Sequence, residues 1–203
     1  MSGERRLPVA VLLSGSGRTL ENFLRERDAG RLPADIVAVV SSRDDARGVD
    51  IARRAGCPVG VFRRKDHPDI AAHNAAINEW LAPRGPGLIL LAGYLCYYQR
   101  PGWFDGPILN IHPALLPRHG GKGLYGRHVH EAVLAAGETE SGCTVHHVND
   151  VYDAGEIVAQ QRVPVLPGDT PDTLAARVFT AECALYPRVV EEIARSLLEQ
   201  RSG

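Results

Sequence analysis

An asparagine and a histidine two residues apart, Asn110 and His112, stand at the end of the apolar run Pro107-Ile108-Leu109 and are followed by Pro113. The run reads as a buried strand. Strand periodicity sends both side chains to one side, and the proline ends the pairing. An amide donor beside a titratable imidazole at a strand tip can hold a carbonyl oxygen as it becomes an oxyanion. Taken alone, the same residues also describe a polar loop start with a satisfied histidine.

A second set lies downstream. In Gly142-Cys143-Thr144-Val145-His146-His147-Val148 the alternation places His146 on one face with Thr144 and Val148, and His147 on the other. The turn that follows carries Asp150 and Asp153, then Ala154-Gly155. A lone acid in a turn is commonly a cap or a solvated group. Six of the eight histidines fall between His112 and His147. His128 and His130 are two apart in an expected helix, which separates them, and His119 is in a loop. No metal-ligand spacing is visible, and no metal is expected.

A third set is Ser14-Gly15-Ser16-Gly17-Arg18-Thr19, between the first strand and the first helix. There a doubly wound fold presents backbone N–H groups and a helix N-terminus to an anion. A nicotinamide fingerprint requires a third glycine where Leu20 stands, and favours an acid where the chain has Ser41-Ser42-Arg43. Arg43 facing an NADP phosphate keeps a reductase as a rival reading. A P-loop fails for want of Gly-Lys-Ser/Thr. A monophosphate seat fits, with Ser16, Arg18 and Thr19 as extra donors; so does a tight turn without a ligand.

The elements that must position these groups follow from hydrophobic patterning. Apolar strands are expected at 8–13, 34–40, 58–62 and 87–92, separated by helices at 19–29, 45–55 and 67–81. That is the pattern of a parallel sheet covered on both faces. Beyond Asn110 a glycine-rich loop at 120–126 leads to a helix at 128–136. Strands at 142–148 and 156–165 then precede a long helix from about 170 to 199, opened by Asp169-Thr170-Pro171. The 203 residues, 44% apolar and 23% charged, suit one globular α/β domain. With 23 Lys+Arg against 24 Asp+Glu the charge balances, which argues against nucleic-acid or membrane-surface partners. The cysteines Cys57, Cys96, Cys143 and Cys183 are scattered and read as free thiols. The basic stretch Glu4-Arg5-Arg6 precedes an apolar run too short for a signal peptide and lacking a cleavage pattern, so a cytoplasmic protein is expected.

Five blocks in order, LLSGSGRTL (12–20), LLAGY (90–94), LNIHPALLP (109–117), GCTVHHVNDVYDAG (142–155) and ECALYP (182–187), make the chain resemble the glycinamide ribonucleotide formyltransferase family of purine synthesis. The resemblance implies a single Rossmann-like formyltransferase domain over 1–203. Its sheet would be twisted and mostly parallel, with helices on both faces and an antiparallel C-terminal extension. A phosphate- and ribotide-binding half would span about 7–105, and a folate and catalytic half about 106–203. It implies formyl transfer from 10-formyltetrahydrofolate, a co-substrate, to the amine of glycinamide ribonucleotide. Asn110 would donate to the tetrahedral oxyanion, and His112, as imidazolium, would stabilise it. Asp153 would keep His112 charged and relay the amine proton, with His146 in a positional role. Gly15, Ser16, Gly17, Arg18 and Thr19 would bind the ribotide phosphate, and Glu182 the substrate near its ribose or amine. Leu95, Cys96, Tyr97 and Tyr98, with Asn110, Val148, Asn149, Asp150 and Asp153, would form the folate pocket. The expected partners are small molecules, with no nucleic acid or membrane, in a monomer or homodimer.

Three departures bear on the acceptor: Arg18-Thr19 in the phosphate loop, Cys96-Tyr97-Tyr98 in the folate segment, and a long glycine-rich loop at 118–126. The two tyrosines either stack on a pterin or pack, and the loop is a lid or a surface excursion. Another amine acceptor is therefore one alternative. A formyltetrahydrofolate hydrolase is another, although the length leaves no room for the extra N-terminal domain such enzymes carry.

Overall fold

The computed structural model describes residues 5–200, so Glu4 of the basic stretch lies outside the described residues. Two compact units divide the chain. One runs to Ile108 and resumes at Val190; the other is Leu109–Val189.

In the first unit the strands β1 (Leu7–Leu13), β2 (Ala34–Ser41), β3 (Val59–Val61) and β4 (Leu88–Leu91) lie in the order β3-β2-β1-β4, and every pair is parallel. β1 is central, and nearly all of it is buried. This burial accounts for its unbroken apolar sequence, since no residue of a strand between two neighbours and beneath helices meets water. The helices are α1 (Arg18–Asp28), α2 (Arg47–Arg54) and α3 (Ile70–Leu81). α3 begins three residues later than its apolar periodicity suggests. Asp69 caps it, its carboxylate accepting from the Ala72 N–H at 2.7 Å. Pro68 before the cap disfavours a helical His67.

In the second unit β5 (Ile108–His112), which begins at the boundary, β6 (Glu140–His147) and β7 (Ile157–Pro164) lie in that order as antiparallel neighbours. The helices are α4 (Arg127–Ala135) and α5 (Pro171–Gln200), which crosses into the first unit at Val190. The start of α5 obeys its sequence signal: Pro171 takes the first helical position, and the Thr170 hydroxyl accepts from the Thr173 N–H at 3.3 Å. The register pairs Asn110 with His146 and His112 with Thr144. Four side chains singled out by alternation therefore share one face.

Thr144, fully buried, fixes the chain leaving β5. Its hydroxyl donates to the Ala114 carbonyl at 2.6 Å and accepts from the Leu116 N–H at 3.1 Å and the Gln160 amide at 2.9 Å. Among the described residues no helix is long and apolar enough to cross a membrane. The cysteines are free, Cys57 and Cys143 buried and the other two half-buried. Burial pushes the Cys143 thiol up to about 12.

Thr144→Val keeps the shape and strands two donors in the interior. We expect a loss of about 1–3 kcal/mol in unfolding free energy, read from urea denaturation; an unchanged midpoint would contradict this account of the β5 exit.

Candidate active site

The second unit brings together Asn110, His112, His146 and Asp153. His112 and His146 are almost completely buried, and Asn110 is half-buried. The Asp153 carboxylate is the hub. One oxygen lies 3.5 Å from His112 Nδ1 and accepts from the Gly121 N–H at 2.9 Å. The other lies 3.5 Å from both His146 Nε2 and Asn110 Nδ2.

Acceptors that cannot donate fix the ring protons. His112 Nε2 lies 2.8 Å from the His119 carbonyl, so Nε2 carries hydrogen and the second proton is gained or lost at Nδ1, toward Asp153. His146 Nδ1 likewise donates to the His147 carbonyl at 2.9 Å, which leaves Nε2 to accept from Asn110 Nδ2 at 3.1 Å. His146 thereby meets the Asn110 amide through a nitrogen free to accept.

The backbone around the cluster is unusual. Asp153 has φ 54°, a left-handed conformation that aspartate tolerates better than most residues. Two residues on, a Cβ at Gly155 would lie 1.6 Å from the His147 carbonyl oxygen, so only glycine lets the turn close. Gly120 is also close-packed, since a Cβ there would meet the end of the Leu116 side chain at 2.4 Å and Asp153 Cβ at 3.3 Å, although the leucine can give way where a backbone carbonyl cannot. The loop at 118–126 is therefore built into the cluster at its first residues.

Burial holds the His112 pKa below its ordinary 6.5, outweighing the opposing pull of Asp153 and of the His119 carbonyl; His146 and His119 lower it further. The resemblance implied an imidazolium here, and desolvation of the charged ring is the largest influence acting against one. Asp153 is also low. Burial acts to raise it; the Gly121 N–H lowers it, and the His146 and His112 rings lower it when their facing nitrogens carry hydrogen. His130, buried on α4, is lowered by burial and then by His112, and its Nδ1 has no partner among the described residues. The described His, Cys, Asp and Glu side chains form no group of three placed for a metal ion.

In the first unit the glycine loop is ordered by its neighbours. Gly17 has φ 69°, and a Cβ on it would lie 2.4 Å from Gly48 Cα, so both the backbone angle and the approach of α2 require glycine. Gly48 N–H donates to the Gly15 carbonyl at 3.1 Å. Gly15, Ser16 and Arg18 are exposed, Thr19 is half-buried, and no side chain caps the first turn of α1. Ser14, beneath the loop, bonds the Ser42 hydroxyl at 2.6 Å and accepts from the Leu95 N–H at 2.9 Å. Arg43 is engaged by Asp45 through two bonds of 2.9 and 2.7 Å, which satisfies the guanidinium that a reductase would present to NADP.

Leu95 is exposed, whereas Cys96 and Tyr97 are half-buried. Tyr98 packs: it is buried, edge-on to Tyr94, and donates to Asn78 at 2.8 Å. Val151 and Tyr152 are exposed in the turn, with Asn149 Oδ1 accepting the Val151 N–H at 3.0 Å. Val148 is half-buried, Asp150 exposed, and Glu182 half-buried on α5. Sequence reasoning missed the His119 carbonyl and the Gly121 N–H, because main-chain groups carry no residue-type signal; the Gly120-Gly121 pair was the only hint.

An amide donor, two imidazoles of fixed tautomer and an ionised carboxylate make a site for group transfer through an oxyanion. A family model described as formyl transferase matches residues 7–190. The chain is 41% identical over 200 residues to the chloroplastic phosphoribosylglycinamide formyltransferase of Arabidopsis thaliana, covering 97% of this chain and 68% of that protein. It is 38% identical over 188 residues to the phosphoribosylglycinamide formyltransferase of Haemophilus influenzae, covering 90% and 85%. A crystal structure of glycinamide ribonucleotide transformylase 1 from Symbiobacterium toebii matches with a TM-score of 0.88 at 36% identity, over 97% of this chain and 94% of that one. This chain belongs to the formyl transferase family.

Two outcomes follow from the charges. His73, His112 and His130 all have pKa values lowered chiefly by burial. The unfolded chain therefore binds more protons just below 6.5, and the stability these residues contribute is complete above that pH and lost as pH falls below it. Thermal melts from pH 7.5 to 5.5 should show a falling midpoint; a flat midpoint would contradict it. Asp153→Asn removes the charge that raises His112, so its imidazole should titrate lower still in an NMR pH series.

Proposed function

We propose that this protein transfers the formyl group of 10-formyltetrahydrofolate to the amine of glycinamide ribonucleotide, as the names of its relatives say of them. The carrying observation is the buried Asn110–His112–His146–Asp153 cluster. The amine nitrogen bonds to the formyl carbon and the carbonyl becomes an oxyanion. The Asn110 amide, oriented by His146, donates to that oxygen. A proton taken from solvent at His112 Nδ1 as the oxyanion forms, and returned as it collapses, makes the imidazole a cation while negative charge is present. Asp153, held ionised, takes the amine proton directly or through water and passes that proton to the departing folate nitrogen as its bond to carbon breaks.

The uncapped, glycine-built turn of Gly15, Ser16, Gly17, Arg18 and Thr19 supports its assignment to the ribotide phosphate, with the Arg18 guanidinium suited to an anion. Glu182 serves the ribose or amine. Exposed Val151 and Tyr152 in the turn support apolar contact with the folate, and Leu95 is assigned to it by the family resemblance. Cys96, Tyr97, Val148, Asn149 and Asp150 belong to the same assignment, whereas buried Tyr98 contributes as a packing residue. The reading takes 1–203 as one formyltransferase domain acting in the cytoplasm on small molecules, as a monomer or homodimer.

The test mixes purified protein with 10-formyltetrahydrofolate, with and without glycinamide ribonucleotide, and follows tetrahydrofolate. Acceptor-dependent turnover is expected. Equal rates without acceptor would instead indicate a hydrolase, and no turnover in either case would sink the reading. Asp153→Asn should lose at least roughly two orders of magnitude in kcat; near-normal turnover in that variant would remove Asp153 from the chemistry.

A further inference from the structure

The group that fixes the His112 tautomer is itself held in place. The His119 carbonyl accepts the Nε2–H of His112 at 2.8 Å, yet His119 has φ 55°, a left-handed conformation. For a residue with a side chain this costs on the order of 1–2 kcal/mol, so other contacts must hold it there. Glu138 provides them. One of its carboxylate oxygens accepts from His119 Nε2 at 3.2 Å, and the carboxylate takes two bonds from the neighbouring Arg118 guanidinium, at 3.1 and 2.8 Å. Glu138 is anchored in turn: its N–H donates to the Val133 carbonyl at the end of α4. Its side chain and that of His119 are mostly shielded from solvent, at 22% and 17% exposure, which favours a defined geometry over a screened surface pair.

We propose that Glu138 is a positioning residue for the catalytic imidazole, acting through the backbone of His119. Its hold reaches Asp153 as well, because Gly121, two residues beyond His119, donates the N–H bound by that carboxylate. The long loop at 118–126 is, at its first residues, a main-chain clamp. The other groups facing His112 are Asp153 from the turn, His146 from β6, His130 from α4 and the His119 ring itself. Loss of the Glu138 carboxylate therefore reaches His112 through His119, by its backbone carbonyl and by the charge of its ring, and the tautomer reads the first of these.

The activity readout rests on the formyl-transfer reading; a second readout does not. Glu138→Ala should lower kcat by about tenfold or more, as a displaced catalytic group does, with KM for both substrates within about twofold. Its pH profile should shift. In nitrogen-15 spectra the unsubstituted protein should show His112 as the Nε2–H tautomer, and Glu138→Ala should show a mixture. Glu138→Gln, which keeps an acceptor for His119, should restore kcat to within about threefold along with the single tautomer. If Glu138→Ala does not fold, His119→Ala breaks the same contact from the other side, spares the Arg118 pair and carries the same expectation. Unchanged His112 nitrogen signals in the folded variant overturn the proposal, whether or not activity falls. Absence of formyl transfer in the unsubstituted protein overturns the functional reading alone, and the spectra still decide the role of Glu138.

Discussion

A buried carboxylate facing two imidazoles sets the terms for the second unit. Asp153 is partly removed from water, which works against its ionisation; the Gly121 N–H favours its charge, and the two facing histidines add to that whenever their facing nitrogens carry hydrogen. Each of these partners needs its own support. Gly121 can donate because the loop passes close over Asp153, which Gly120 permits. His146 faces it because register pairs that residue with Asn110. The turn itself closes only past a glycine at 155. Removing any one support would leave a buried charge short of partners, a costly state at low local dielectric.

The same environment holds the His112 pKa down. Burial weakens the cation, and Asp153 only partly restores it. In the proposed transfer, a proton drawn to this ring as the oxyanion forms adds an attraction that the neutral carbonyl of the ground state does not feel.

Much of this was legible in the chain. Strand periodicity put Asn110 and His112 on one side and His146 with Thr144, and the register bears out both placements. The unbroken apolar runs marked the parallel strands, since buried strands need no alternation. Element ends were less legible where capping competed with periodicity, as at Asp69. The charge state of His112 could not be read either, because it depends on how much water the fold excludes. Nor could the main-chain donors and acceptors at His119 and Gly121, whose role comes from position alone.

The contact between Gly17 and Gly48 makes the shape of the glycine loop a joint property of two distant positions. A side chain at 48 would strike Leu13 at 2.7 Å and press on Gly17 Cα at 3.1 Å, just as one at 17 would strike 48. Neither can grow while the other stays, and enlarging both only worsens the collision. Variation in the loop is thereby channelled to Gly15, where a Cβ would meet nothing within 4 Å, and to Ser16, Arg18 and Thr19. Diversification at those positions offers a way to retune what the loop accepts while its main-chain frame stays fixed.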